Sequence, residues 1–187
     1  MEIGSNRFPR GKIMTDLRYP IGKAPIEGEL SPGQRMGMIE EVRRLPSKLR
    51  AAVQNLNDHQ LDTPYRPEGW TVRQVVHHLA DSHMNAFVRF KLAMTESEPT
   101  IKPYNEKLWA ETADARTAPF ELSLNLVDSL HARWTLLLSV MEPKDFSRVM
   151  IHPERGRLTL DNSLRLYEWH GRHHTAQITS LRERMGW

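Results

Sequence analysis

Nine histidines stand in this chain of 187 residues, and six of them fall in two short stretches: His77, His78 and His83 in one, His170, His173 and His174 in the other. A neutral imidazole can hold a divalent cation without cancelling its charge, because the ring nitrogen offers a lone pair and brings no negative charge of its own. His170 and His174 are four residues apart. On a helix that spacing stacks them on one face about 6 Å apart along the axis, within reach of one ion. Gly171 stands where a zinc-protease helix would carry glutamate, so the pair alone defines no chemistry and a third ligand must come from elsewhere. The competing role for each ring is that of a hydrogen-bonded interior histidine. Two histidine-rich helices facing one another favour the metal.

The helical wheel chooses among neighbours in one stretch and not in the other. Leu160, Leu164, Ile178 and Leu181 define a stripe centred close to His174, with His170 on its edge and His173 pointing away, so the inward pair is His170 and His174. In the other stretch the stripe through Val72, Val76, Phe87 and Phe90 is centred near His83, while His78 lies on its flank beside Val75. Periodicity leaves open which of these two supplies a third nitrogen.

Four helices must position these rings. The first opens at Ser31, where Pro32 and Gln34 complete a capping box, and runs to about Leu56, with a kink or restart expected at Pro46. The second opens at Thr71, again with a glutamine three residues on at Gln74, and ends near Ser97. The third begins around Pro119 and continues through Leu122, Leu126, Leu130, Trp134, Leu137 and Met141 to stop before Pro143. The fourth spans Leu160 to Met185. A short hairpin is expected before it, Val149 to Ile151 and Leu158 to Leu160 flanking the turn from Pro153 to Gly156. Residues 100–118, with Pro103, Tyr104 and Trp109, are too long for an ordinary connection and read as a partly helical crossover or lid. The fold class is therefore all-α, an antiparallel four-helix bundle with a short hairpin before the last helix.

Composition narrows the function classes. There is no cysteine, which excludes thiolate zinc sites, iron–sulfur clusters, disulfide scaffolds and a cysteine nucleophile, and fits a reducing cytoplasm. Twenty-six basic residues face twenty-three acidic ones with no long basic run, so nucleic acid is not the expected partner. No stretch approaches the roughly 20 apolar residues of a membrane-spanning helix. Residues 1–16 read as an N-terminal extension without the apolar core of a signal peptide, with a second possible start at Met14, and residues 17–187 as one domain.

The segments WTVRQVVHHLADSHMNA at 70–86 and YEWHGRHHTAQI at 167–178 resemble the two signature segments of the DinB/YfiT-like family. RYPIG at 18–22, LDTPYRPEGW at 61–70 and the terminal RMGW resemble its YfiT subfamily, so the resemblance runs from about Leu17 to Trp187. It implies a four-helix bundle holding one divalent metal with three histidines and open water positions, a hydrolase assignment, relatives that are thiol S-transferases, and a homodimer. Carried onto this chain, the ligands are His78, His170 and His174. His77, His83 and His173 become pocket residues or supports for the ligands, and Gln177 stands where relatives can carry a further histidine.

A metal with such a shell lowers the pKa of bound water to about 7, and acidifies a bound thiol more readily still. Hydrolysis of a small substrate and transfer of a low-molecular-weight thiol such as bacillithiol are thus two uses of one site, and a metal-binding module without turnover would use the same rings. Zinc suits three imidazoles best, with nickel, iron, cobalt and manganese as alternatives. Asp81 is the candidate to orient His78 or to take a proton from bound water, with Glu168 comparable, and Arg73 and Arg172 are candidates to hold an anionic thiol cofactor or substrate. Tyr104 and Trp109 are the candidate walls of a substrate pocket.

Overall fold

Hydroxyl caps set the starts of three of the four long helices, and two of the three are full capping boxes. In the computed structural model, which describes residues 16–25 and 28–187, helix α1 (Pro32–Val53) starts where the Ser31 hydroxyl accepts from the Gln34 amide and the Gln34 side chain accepts from the Ser31 amide. Thr71 and Gln74 make the same reciprocal pair at the start of α3 (Val72–Thr95). Thr159 caps α7 (Leu160–Met185), which ends at Gly186 in the left-handed region with φ of 72°, the conformation glycine adopts most readily. The expected N-terminal extension, Met14 included, lies outside the described residues except for Asp16.

Short helices α2 (Asp58–Leu61), α4 (Glu106–Ala110) and α5 (Ala113–Thr117) link the long ones, and α6 (Phe120–Val140) completes the bundle. Helix α1 packs on α6 and α7, and α3 packs on the same two from the other side. Pro46 neither breaks nor restarts α1, because Leu45, Pro46 and Leu49 are all buried against the bundle and tertiary packing carries the helix past the missing donor. The buried face of α6 also differs from the expected stripe. Leu124, Val127, Leu130, His131, Trp134 and Leu138 face inward, while Leu122 and Leu126 are 62% and 43% exposed. A helix leucine-rich on more than one face has no unique apolar stripe, and packing against both α1 and α3 selects the face observed.

Strands β1 (Val149–His152) and β2 (Gly156–Thr159) form the expected hairpin in antiparallel register, with Met150 opposite Leu158. The chain after α3 is stitched to it, Ile101 donating to Ile151 O at 3.0 Å and Ile151 to Pro99 O at 2.9 Å. No helix among the described residues is long and apolar enough to cross a membrane.

The apolar core has two halves. One gathers Val42, Phe90, Trp134, Leu138, Leu160 and Leu164, the other Leu49, Val72, Val76, Leu79, Ile178 and Leu181. On α7 His170, His173 and His174 fall between Tyr167 of the first half and Ile178 of the second, and on α3 His83 falls between Leu79 of the second half and Ala86 of the first.

Candidate metal centre

Helix α3 supplies His78, and α7 supplies His170 and His174 from successive turns. One ring nitrogen from each lies within 4.8 Å of the others, with His78 Nε2 3.2 Å from His170 Nε2. Burial holds the three rings neutral: His78 is pushed down to about 4, and His170 and His174 well below their ordinary value, with the neighbouring imidazoles adding to the effect. Neutral rings are what a cation needs, since each then keeps a lone pair.

The tautomer of His174 follows from its neighbours. The Gln177 amide nitrogen donates to Arg18 O at 3.2 Å, and a carbonyl can only accept, so the amide orientation is set. Gln177 Oε1 therefore accepts from His174 Nδ1 at 2.9 Å, and His174 Nε2 is left bare. His83 lies behind His170, its Nε2 3.2 Å from His170 Nδ1, and His131 of α6 lies behind His83.

The donor set fits a tetrahedral cation. Nitrogens about 2.0–2.1 Å from a zinc ion stand roughly 3.3 Å from one another, close to the spacing seen between His78 and His170, and three protein donors leave a fourth position open. Above the rings is a cavity of about 400 Å³ whose walls include Trp70, Arg89, Tyr104, Tyr167 and Trp169. Trp70 lies 4.5 Å from the His78 ring, centroid to centroid. It is held there by the turn 65–70, closed by Tyr65 donating to Trp70 O at 3.0 Å, in which a Cβ on Gly69 would come within 2.7 Å of Arg66 Cγ.

The other candidates stand elsewhere. Arg73 is buried and bound to Asp62 at 2.7 Å and Asp58 at 3.0 Å, while Arg172 pairs with Glu168 on the side of α7 facing α1. Asp81 is half-buried outside the cavity wall, its carboxyl raised to about 6 by burial and by the charge of Asp114. His77 faces Ser123 at 2.7 Å, away from the cavity. His173, expected to point away from the bundle, is buried, because Trp169 stacks on it at 4.4 Å and Tyr19 covers it. Within the 100–118 crossover Tyr104 lines the cavity, and Trp109 packs on Tyr104 from outside at 4.5 Å.

The sequence profile of the DinB superfamily matches residues 41–178. A protein of Bacillus mycoides (strain KBAB4) named "Putative metal-dependent hydrolase" is 54% identical over 174 residues, covering 93% of this chain and all of that protein. One of the same description from Bacillus cereus (strain B4264) is 52% identical over the same span. Among solved structures, YfiT from Bacillus subtilis, described as "a probable metal-dependent hydrolase with an unusual four-helix bundle topology", superposes with a TM-score of 0.90 at 50% identity, over 91% of this chain and 98% of that one.

Proposed function

The chain belongs to the DinB superfamily, and from that footing we propose that it is a metal-dependent hydrolase of small molecules whose ion, zinc, is held by His78, His170 and His174. The observation that carries the reading is the convergence of three neutral imidazoles on the floor of a cavity large enough for a small substrate. When bound, the ion would supply Lewis acidity, bringing coordinated water toward a pKa of about 7 and polarising a carbonyl oxygen.

The chain's own residues have separable tasks. Burial pushes the Tyr104 phenol up to about 12 and raises that of Tyr167, so both remain proton donors at neutral pH. Arg89 donates to the Tyr167 oxygen at 2.8 Å, which leaves the Tyr167 proton free for negative charge developing on a substrate oxygen. Trp70 and Trp169 give the cavity apolar walls beside the rings.

Elemental analysis of protein purified without chelator tests the reading, with about one divalent ion per chain expected. Alanine at His78, His170 or His174 should abolish tight binding, and His173→Ala should preserve most of it. Metal content far below stoichiometric after reconstitution with zinc, nickel and manganese in turn would overturn the assignment.

A further inference from the structure

Behind the three rings runs a line of hydrogen bonds that touches every long helix once. His170 Nδ1 on α7 lies 3.2 Å from His83 Nε2 on α3, His83 Nδ1 lies 2.9 Å from His131 Nε2 on α6, and His131 Nδ1 lies 2.6 Å from the carbonyl oxygen of Val42 on α1. His83 and His131 are 0% and 1% exposed, so bulk solvent does not reach either ring.

The end of the line sets its direction. A carbonyl can only accept, so His131 carries its proton on Nδ1, and its Nε2 is an acceptor. His83 must then donate from Nδ1 and accept at Nε2, and His170 must donate from Nδ1 and keep Nε2 bare. The sequence supplies the reason the carbonyl is available. Four residues beyond Val42 stands Pro46, the position whose amide would occupy that oxygen in an ordinary helix, and proline has no amide hydrogen.

We infer that His131 and His83, anchored on the carbonyl that Pro46 leaves free, are positioning residues that lock His170 in the Nδ1-protonated tautomer and so present its Nε2 to the ion. The inference rests on the metal reading of His170 but has an element that can be measured without metal. If the line were broken at His131, the His83 proton could move to Nε2. It would then face His170 Nδ1, drive the His170 proton to Nε2, and block the ligand nitrogen. His131 would thus govern an ion it does not touch.

Two measurements test this. In metal-free protein with nitrogen-15-labelled histidine, long-range nitrogen–proton correlations identify the protonated nitrogen of each ring. His170, His83 and His131 are expected to carry their protons on Nδ1, and a proton on His170 Nε2 would overturn the inference whatever the metal does. In the second, zinc affinity is read by competitive titration of His131→Leu and His131→Gln, with helical circular dichroism confirming that each is folded. His131→Leu fills the buried site without an acceptor and should bind zinc roughly 10- to 100-fold more weakly, the usual consequence of removing a ligand's support. Glutamine can accept from His83 and donate to Val42, and should restore most of the affinity. Equal affinity for wild type and His131→Leu would overturn the inference, as would equal losses for both variants. Should wild type bind no zinc at all, the metal reading fails, and the nitrogen measurement still decides the tautomers.

Discussion

Gly171 of α7 meets Leu45 of α1 so closely that a Cβ on the glycine would lie 2.6 Å from Leu45 Cδ2 and 3.0 Å from Cδ1. Gly171 directly follows His170, and His174 stands three residues further on. The approach of α7 to α1 at this point therefore helps set where two of the three clustered rings stand.

Gly171→Ala is expected to destabilise the protein despite alanine's advantage of about 1 kcal/mol over glycine in a helix interior. Leu45 is buried, so its side chain must leave its packed position or the helices must separate, a strain of about 1–3 kcal/mol. Thermal or urea unfolding of Gly171→Ala, Leu45→Ala and the double variant checks this. The double variant should be more stable than the sum of the single losses implies, because the second truncation removes the clash. Strict additivity would show that the close approach is not the cause.

Gln177→Leu should remove the acceptor that holds His174 Nδ1. A buried N–H left unpaired costs about 1–3 kcal/mol, which urea unfolding of the metal-free protein would read. Zinc affinity should fall about 10-fold or more, because His174 is then free to place its proton on the nitrogen that faces the cluster. Unchanged affinity would show that the Gln177 bond does not set the tautomer.

Asp81→Asn should stabilise the protein at neutral pH. The Asp81 carboxyl is raised from its ordinary 3.8 to about 6 by burial, with Asp114 adding to the shift. Between those values the folded chain holds a proton that the unfolded chain has released, so the wild-type residue loses stability as pH rises through that window. Asparagine carries no such cost. The variant's unfolding temperature should exceed that of wild type at pH 7 and match it near pH 4, and equal temperatures at both pH values would contradict the buried-carboxylate account.

Thiol transfer and hydrolysis can be separated spectroscopically in a cobalt-substituted sample. A thiolate bound to cobalt gives a charge-transfer band that water cannot, and the chain has no cysteine to imitate it. The hydrolase reading expects no such band with bacillithiol, mycothiol, glutathione or coenzyme A, and metal-dependent cleavage of an ester or amide panel. A thiolate band with conjugation of an electrophile, and no hydrolysis above the metal-free control, would replace hydrolase by transferase and keep the same three rings.

The legibility of the centre in the sequence divides by helix. On α7 the four-residue spacing and a single apolar stripe select His170 and His174, the two rings that the fold brings together from that helix. On α3 the same arithmetic points to His83, which is indeed the most deeply buried of that helix's three histidines, yet its nitrogens are turned to His131 and His170 rather than to the cavity. Burial and proximity to the cluster are different properties there, and singling out His78 required the family resemblance. The α6 sequence does not single out His131, because its leucine pattern runs through Leu122 and Leu126, which the fold leaves exposed. Arg89 and Tyr167 meet only through the tertiary fold, 78 residues apart in the chain, and no local pattern announces such a pair.

The band of buried imidazoles between the two apolar halves also bears on how the helices find their alignment. Leucine and valine surfaces tolerate one helix sliding past another by a turn, about 5.4 Å, since one aliphatic contact replaces another. A ring that must meet its hydrogen-bond partner does not. Sliding α3 against α6 by one turn would part His83 from His131, and sliding α7 would part His170 from His83, leaving polar nitrogens against hydrocarbon. The histidine layer thus acts as a vernier for the bundle, discriminating against near-native slipped packings that the two oily halves alone would accept.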